Sequence, residues 1–310
     1  MIKNKKCILA IIICLAVVGS SLMAFNIVSA NAGNITEKED VEFRKIISNT
    51  TKENYGEVVS IDNSNEFDKM FGSDLHEYND DNYIYLFDNK TNSMKAIIKS
   101  SEKAGNSLFG TISDVKQAEK SAIKVVKAAC PDFLKLDYDV FTSVIGENSY
   151  NVELWERISD NFYTGNKVSV ILTADGCIDT LVTRTSNTSN YDVNDAELIS
   201  ETEANNIAYN KAKSISEKIE KNLNTKKDTI ESKKNVTEPT VSEKINKVLD
   251  IRIEDADKHT VNSYKEYNNG TVEWVVKISE VESNNNYGDV EFYVTVNAKT
   301  GEVGFSSCTR

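Results

Sequence analysis

The chain has 310 residues, 40% of them hydrophobic and 27% charged, and its 48 acidic against 36 basic side chains give a formal net charge of −12. So acidic a chain lacks the basic footprint that sequence-independent binding to nucleic acid requires; the charge suits solubility outside the cell, or a basic partner surface. The length accommodates one large domain or two or three small ones.

Lys3, Lys5 and Lys6 precede an unbroken apolar run from Cys7 to Val18, which Leu22 to Phe25 resume. Ala30-Asn31-Ala32 then offers small residues at the two positions a signal peptidase reads. This order predicts a signal peptide over residues 1–32, with the mature chain starting at Asn31 or Gly33. The alternative is an uncleaved anchor over residues 7–25, whose 19 residues approach the roughly 20 needed to cross a bilayer. Both readings place the remainder outside the membrane, because the lysines stay on the cytoplasmic side. Cys14 follows Ile11, Ile12 and Ile13, where a lipid-anchor motif wants a small residue. Loss of the segment takes the charge to −15, since it carries those three lysines and no acid.

Beyond it, Thr36-x-x-Glu39 is a capping box that opens a helix to about Ser48. Tyr83–Phe87 and Met94–Ile98 are expected strands. A second helix opens at Ser113 or Asp114, with Val115, Ala118, Ala122, Val125 and Ala129 on one face, and Pro131 stops it. Strands are expected at Val152–Ile158, Val168–Ala174 and Ile178–Thr183. Ser200-x-x-Glu203 opens a third helix whose apolar face carries Ala204, Ile207, Ala208, Ile215 and Ile219, broken by Lys211. The polar stretch 222–239 reads as an insertion or a frayed helix extension, and Val241–Leu249 as a short helix. The last strands are expected at Thr271–Val281, Val290–Asn297 and Glu302–Ser306. Val272, Trp274, Val276 and Ile278, then Phe292, Val294 and Val296, alternate with mostly polar residues. That pattern predicts a sheet covered on one face by a helix, an α+β layer architecture.

The hairpin turns repeat. Asp88-Asn89-Lys90-Thr91-Asn92 aligns with Asn297-Ala298-Lys299-Thr300-Gly301, and Ala174-Asp175-Gly176 is a version one residue shorter. Gly and Asn best tolerate the positive φ of such turns. The expected fold is therefore a repeated unit of one helix and an antiparallel sheet. Its boundaries are 33–104 for a degenerate helix–hairpin unit, 105–190 for a second copy, and 191–310 for a third.

Residues 197–310 resemble a PepSY-like domain, with a cystatin-like arrangement of helix and sheet. The resemblance rests on Ile199-Ser200-Glu201-Thr202-Glu203-Ala204, on Val272-Glu273-Trp274-Val275-Val276, and on the strand and turn from Phe292 to Val303. Residues 112–184 look like a poorer copy and 36–100 like a degenerate one. Trp155 departs from the pattern, on the face opposite Val152, Leu154 and Ile158, as does the polar stretch at 222–239. The resemblance implies an exported bacterial protein that restrains or stabilises an extracellular hydrolase, or one associated with spore coat and germination. It brings no catalytic residue.

The residues point to no reaction. His76 lies among Asp74, Glu77, Asp80 and Asp81, and His259 follows Glu254, Asp255 and Asp257. Both read as solvated acidic turns, lacking the ladder of a calcium loop or the paired histidines of a zinc helix. No nucleophile elbow or phosphate-cradling glycine motif is present. Cys130, Cys177 and Cys308 are too few and too scattered for a disulfide framework. Their odd number leaves at least one thiol outside any intramolecular pair, and they read as small buried residues, with Cys308 in a loose tail. No catalytic residue, cofactor or metal site is assigned. Two functions are expected: a non-catalytic protein that binds an extracellular partner, a hydrolase included, or a structural cell-envelope protein without an enzyme partner. The candidate binding edge is the last strand, ending at Ser306 and Ser307.

Overall fold

The structure is a computed structural model that describes residues 36–52, 58–61, 65–100, 107–146, 149–185, 197–231, 259–268, 270–280 and 291–309. The expected signal segment 1–32 and the short helix at 241–249 lie outside the described residues. The chain divides into two compact units, Met1–Ser186 and Asn187–Arg310.

In the first unit the order is α1 (Glu37–Thr51), β1 (Val59–Ile61), α2 (Asn65–Phe71), β2 (Leu75–Asn79), β3 (Tyr83–Asp88) and β4 (Ser93–Lys99). Then come α3 (Val115–Ala129), a single 3-10 turn, β5 (Tyr138–Ile145), β6 (Ser149–Ser159), β7 (Phe162–Thr173) and β8 (Ile178–Arg184). The second unit holds α4 (Glu201–Glu231), β9 (His259–Asn268), β10 (Thr271–Glu280), β11 (Glu291–Asn297) and β12 (Val303–Thr309). The fold is α+β. Three times over, a helix precedes four antiparallel strands in meander order. In the first unit two such meanders join through their last strands, β4 and β8, with Ile97 opposite Leu181.

The helices start where side chains satisfy their leading N–H groups. At α1 the Thr36 N–H donates to Glu39 Oε2 at 2.8 Å and the Glu39 N–H to Thr36 Oγ1 at 3.3 Å. That closes the capping box, and Lys52 ends the helix at φ 61°. At α3 Asp114 Oδ1 accepts from the Gln117 N–H at 2.8 Å. At α4 Ser200 Oγ accepts from the Glu203 N–H at 3.2 Å.

One core runs under both meanders of the first unit. Phe43 and Ile47 of α1 meet Tyr78, Tyr85 and Phe87, with the Phe43 and Phe87 rings stacked at 4.3 Å. Ala118, Ala122, Val125 and Val126 of α3 meet Val152, Leu154, Val168, Val170 and Leu172. Val126, unforeseen, is buried, whereas Val115, expected on this face, is exposed. On the opposite face Leu75, Leu86, Ala96 and Ile98 pack against Phe67 and Phe71 of α2. Burial on both faces is why β3 and β4 read as apolar runs rather than alternations.

In the second unit all seven expected core residues, Val272, Trp274, Val276, Ile278, Phe292, Val294 and Val296, are buried. The helix stripe above them differs from the expected one. Among its described side chains Ala204, Ala208, Ala212 and Ser216, spaced by four, are the buried ones, while Ile207, Lys211 and Ile215 are half-buried. Small side chains thus form the contact ridge, and the larger ones flank it. The helix continues through Glu231, so 222–231 belong to it rather than to an insertion; the rest of the polar stretch lies outside the described residues. Cys308 is no tail residue: it sits in β12 opposite Phe292.

The first and third hairpin turns share one geometry, closed by Asn92 N–H to Asp88 O and Gly301 N–H to Asn297 O; the shorter middle turn closes by Gly176 N–H to Thr173 O. Asp88 Oδ1 accepts from the N–H groups of Lys90 at 3.0 Å and Thr91 at 2.9 Å. Asn297 Oδ1 accepts from those of Lys299 and Thr300, both at 2.9 Å. Asn92, Gly176 and Gly301 close the turns at φ 54°, 83° and 72°. Each turn receives the start of its helix. Ile112 N–H donates to Ala174 O at 2.8 Å, and Ile199 N–H to Ala298 O at 2.7 Å. Trp274 Nε1 donates to Ile199 O at 3.0 Å. In the first copy the bond runs between side chains, from Asn92 Nδ2 to Glu39 Oε1 at 3.0 Å.

Gly176 and Gly301 are equivalent in φ but not in surroundings. A Cβ at Gly176 collides with the Gly110 carbonyl, whereas one at Gly301 meets only Ile207 Cδ1 at 3.4 Å. Gly301→Ala should therefore cost about 1–2 kcal/mol from backbone conformation alone, and Gly176→Ala distinctly more. Denaturant unfolding of the two variants checks the order; equal losses would contradict it.

Candidate functional site

Neither histidine lies in the expected acidic turn. His76 is a buried residue of β2, with Nε2 2.7 Å from Ser60 Oγ and its ring edge-on to Tyr78 at 4.9 Å. The nearby Asp80 carboxylate accepts from the N–H groups of Asn82 and Tyr83, both at 2.7 Å, and from Tyr85 Oη at 2.6 Å. It is a turn-forming group. His259 begins β9; residues 254–257 lie outside the described residues. Among the described residues no group of three His, Cys, Asp or Glu is placed to hold a metal ion. The three cysteines are thiols. Burial pushes the Cys130 thiol up to about 12, against the pull of Lys95, and burial followed by the Asp175 charge raises that of Cys177. Thiols held this way are poor nucleophiles at neutral pH.

What the sheets leave open is their edges. β12 ends the strand order of its unit, as expected, but its residues from Phe305 to Cys308 are half-buried and mostly small. β1 is three residues long. β5 is different. Among the described residues it pairs only with β6, over eight residues from Tyr138 opposite Glu156 to Ile145 opposite Ser149. Phe141, Val144 and Ile145 are 39%, 59% and 43% exposed. Its sequence YDVFTSVI carries one charge, Asp139, and neither Lys nor Pro. Those are the residues with which natural edges are usually guarded.

An aromatic ledge adjoins the edge on the face away from the helices. The Phe141 ring lies 4.7 Å from Trp155, and Tyr163 stands edge-on to Trp155 at 5.4 Å. Lys167 Nζ lies 3.8 Å from the Trp155 ring centroid, a cation–π contact. Arg157 Nη2 bonds both oxygens of Asp137 at 3.0 Å, and its Nη1 reaches Asp139 at 3.2 Å. Tyr163 Oη donates to Asp139 Oδ2 at 3.0 Å. Burial first, then Asp139, pushes the Tyr163 phenol up to about 12, so it stays a donor at all ordinary pH. Glu153 sits opposite Phe141. Burial raises its carboxyl above the ordinary range, opposed by the Lys167 charge and a hydrogen bond from Trp155. The arrangement fixes rings and charges along a strand whose outer side is open; it has the means to pair with an extended chain.

Trp155 was expected off the core face, and it is. β5 itself went unforeseen. Val140, Thr142 and Val144 alternate with Phe141, Ser143 and Ile145, so apolar residues fall on both faces and no period of two stands out. The usable signal was the β-branched and aromatic composition of Tyr138–Ile145 after the Pro131 stop.

No family model matches the chain, and no curated protein matches it. Among solved structures, it is similar to the Bacillus megaterium YpeB C-terminal domain, at 10% identity over 89% of this chain and 98% of that one, with a TM-score of 0.37.

The raised Glu153 carboxyl makes a pH prediction. Folding favours its neutral form, so its stabilisation is full below the ordinary glutamate value of about 4.3. It is lost as pH rises through the higher folded-state value. Gln is neutral throughout. Between pH 4 and pH 8, on the order of that interval, the unfolding midpoint should fall more in the unsubstituted protein than in Glu153→Gln. Parallel curves would contradict the assignment.

Proposed function

We propose that this is an exported, non-catalytic binding protein built of PepSY-like units, which captures an extended segment of an extracellular protein by strand addition at β5. The observation that carries the reading is the exposed apolar edge of β5, bordered by the Phe141–Trp155–Tyr163 ledge. An open edge offers N–H and C=O groups to a new strand, and alternate side chains supply specificity. The lysine-led apolar segment at residues 3–25 supports export. The PepSY resemblance supports a hydrolase as the partner, restrained or stabilised by the complex. On this reading the binding edge is β5 rather than the last strand, whose side chains offer less apolar surface.

The test is affinity capture from the extracellular fraction with the tagged chain and with a Val144→Lys, Ile145→Lys variant. Both positions are exposed, so the fold should persist while the charged edge repels an added strand. A hydrolase retained by the unaltered chain and lost from the variant is the expected result. Equal retention would move the site elsewhere, and retention on peptidoglycan without any hydrolase would favour a structural envelope role.

A further inference from the structure

The pairing of β5 with β6 fixes which backbone groups its open side offers. The Arg157 N–H donates to the Asp137 carbonyl at 2.8 Å. From there the register runs without a shift, from Tyr138 opposite Glu156 to Ile145 opposite Ser149. Hydrogen-bonded and non-hydrogen-bonded positions alternate along an antiparallel ladder. Asp139, Phe141, Ser143 and Ile145 therefore direct their N–H and C=O groups to β6, and Tyr138, Val140, Thr142 and Val144 turn theirs outward. The side chains alternate in step. Tyr138 and Val140 pack on the core, and Thr142 Oγ1 donates to Glu119 Oε1 of α3 at 3.0 Å. Phe141 lies on the other face, 4.7 Å from Trp155.

We propose that two copies of this chain close the β5 edge on each other, antiparallel about a twofold axis at Phe141, and that a foreign strand must displace this dimer. The dimer rests on the same open edge proposed above for partner capture, and regulates it. Two such edges bond only where outward groups meet outward groups. With the axis at Phe141, Tyr138 stands opposite the partner's Val144 and Val140 opposite the partner's Thr142, so every outward residue of β5 is paired. Tyr138 against valine is an aromatic–β-branched pair of the favourable kind. Phe141 meets the partner's Phe141 at a non-hydrogen-bonded position, where side chains approach closest, and the two ledges join into one aromatic row. Asp139, the one charge of the strand, falls opposite the partner's Ser143, a hydroxyl that can donate to it. An axis at Val140 would set Asp139 against the partner's Phe141, and one at Thr142 against the partner's Ile145. Both desolvate the carboxylate against an apolar side chain. The contact is isologous, so it closes at two copies.

Cysteine cross-linking of the exported chain reads the register. Phe141→Cys should give a disulfide-linked dimer under mild oxidation, because Cα atoms at such a position lie about 4.5 Å apart, within disulfide reach. Ser143→Cys should not, since its counterpart is displaced along the ladder by on the order of 13 Å; nor should the unaltered chain, with its native thiols. By light scattering the unaltered chain should show twice its chain mass. Phe141→Lys and Phe141→Glu, which set like charges opposite each other, should each halve that value. Mixing the two variants should restore the dimer, which unfolded variants would not do. An unaltered chain that stays monomeric overturns the proposal while leaving capture of a foreign strand to its own test. A dimer that survives both charged variants, or that cross-links as well at Ser143→Cys, lies elsewhere and overturns it too.

Discussion

The contact on which each copy depends is the one between the start of its helix and the hairpin turn that joins its last two strands. A helix N-terminus and the residues leading into it carry N–H groups that nothing inside the helix can satisfy. In the second and third copies the turn supplies the acceptor; in the first, its Asn92 side chain donates to Glu39 instead. Ala174 and Ala298 present their carbonyls to Ile112 and Ile199, and both Ile112 and Ala298 are buried. A buried donor left without such an acceptor costs about 1–3 kcal/mol. The turn can do this only if its own backbone is fixed, which explains the side-chain acceptors Asp88 and Asn297 and the positive φ at Asn92, Gly176 and Gly301. The sequence similarity of the turns is thus the trace of a tertiary contact as well as of a hairpin.

Fixing the helix start fixes which face of each meander is covered. In the first unit α1 and α3 then lie together over one core, and two consequences follow. A groove between their ends gathers lysines from both helices. The far edge of the sheet, β5, has one neighbour among the described residues, and its Phe141 ring turns to the uncovered side, where Trp155, Tyr163 and Lys167 pack with one another. A partner strand at β5 would extend the existing hydrogen-bonding pattern without disturbing the core beneath α3.

Much of this was legible in the sequence, for identifiable reasons. Thr36, Asp114 and Ser200 announce helix starts because capping is local chemistry. Val272, Trp274 and Phe292 announce a one-sided sheet because their alternation is long and clean. Three strands were not legible: β2, β9 and β5. β2 carries His76 and Glu77 and resembles an acidic loop; its burial comes from α1 and from β1, distant in sequence. β9 is polar and exposed at Thr260, Val261 and Asn262, and owes its place to pairing with β10, where Lys265 lies opposite Trp274. β5 hid behind apolar residues on both faces. Ala212 and Ser216 were missed because a contact ridge of small residues is set by the surface it meets, and hydrophobicity alone favoured Ile215.

Amide hydrogen exchange on the native full chain tests the central contact most directly. If the helix starts are held by the turns, the N–H groups of Ile112 and Ile199 should exchange as slowly as strand amides such as those of Val170 and Val294, opening only with their unit. Exchange at the rate of exposed loop amides, with those strands still protected, would show that the helices are placed by side-chain packing alone and would contradict the account.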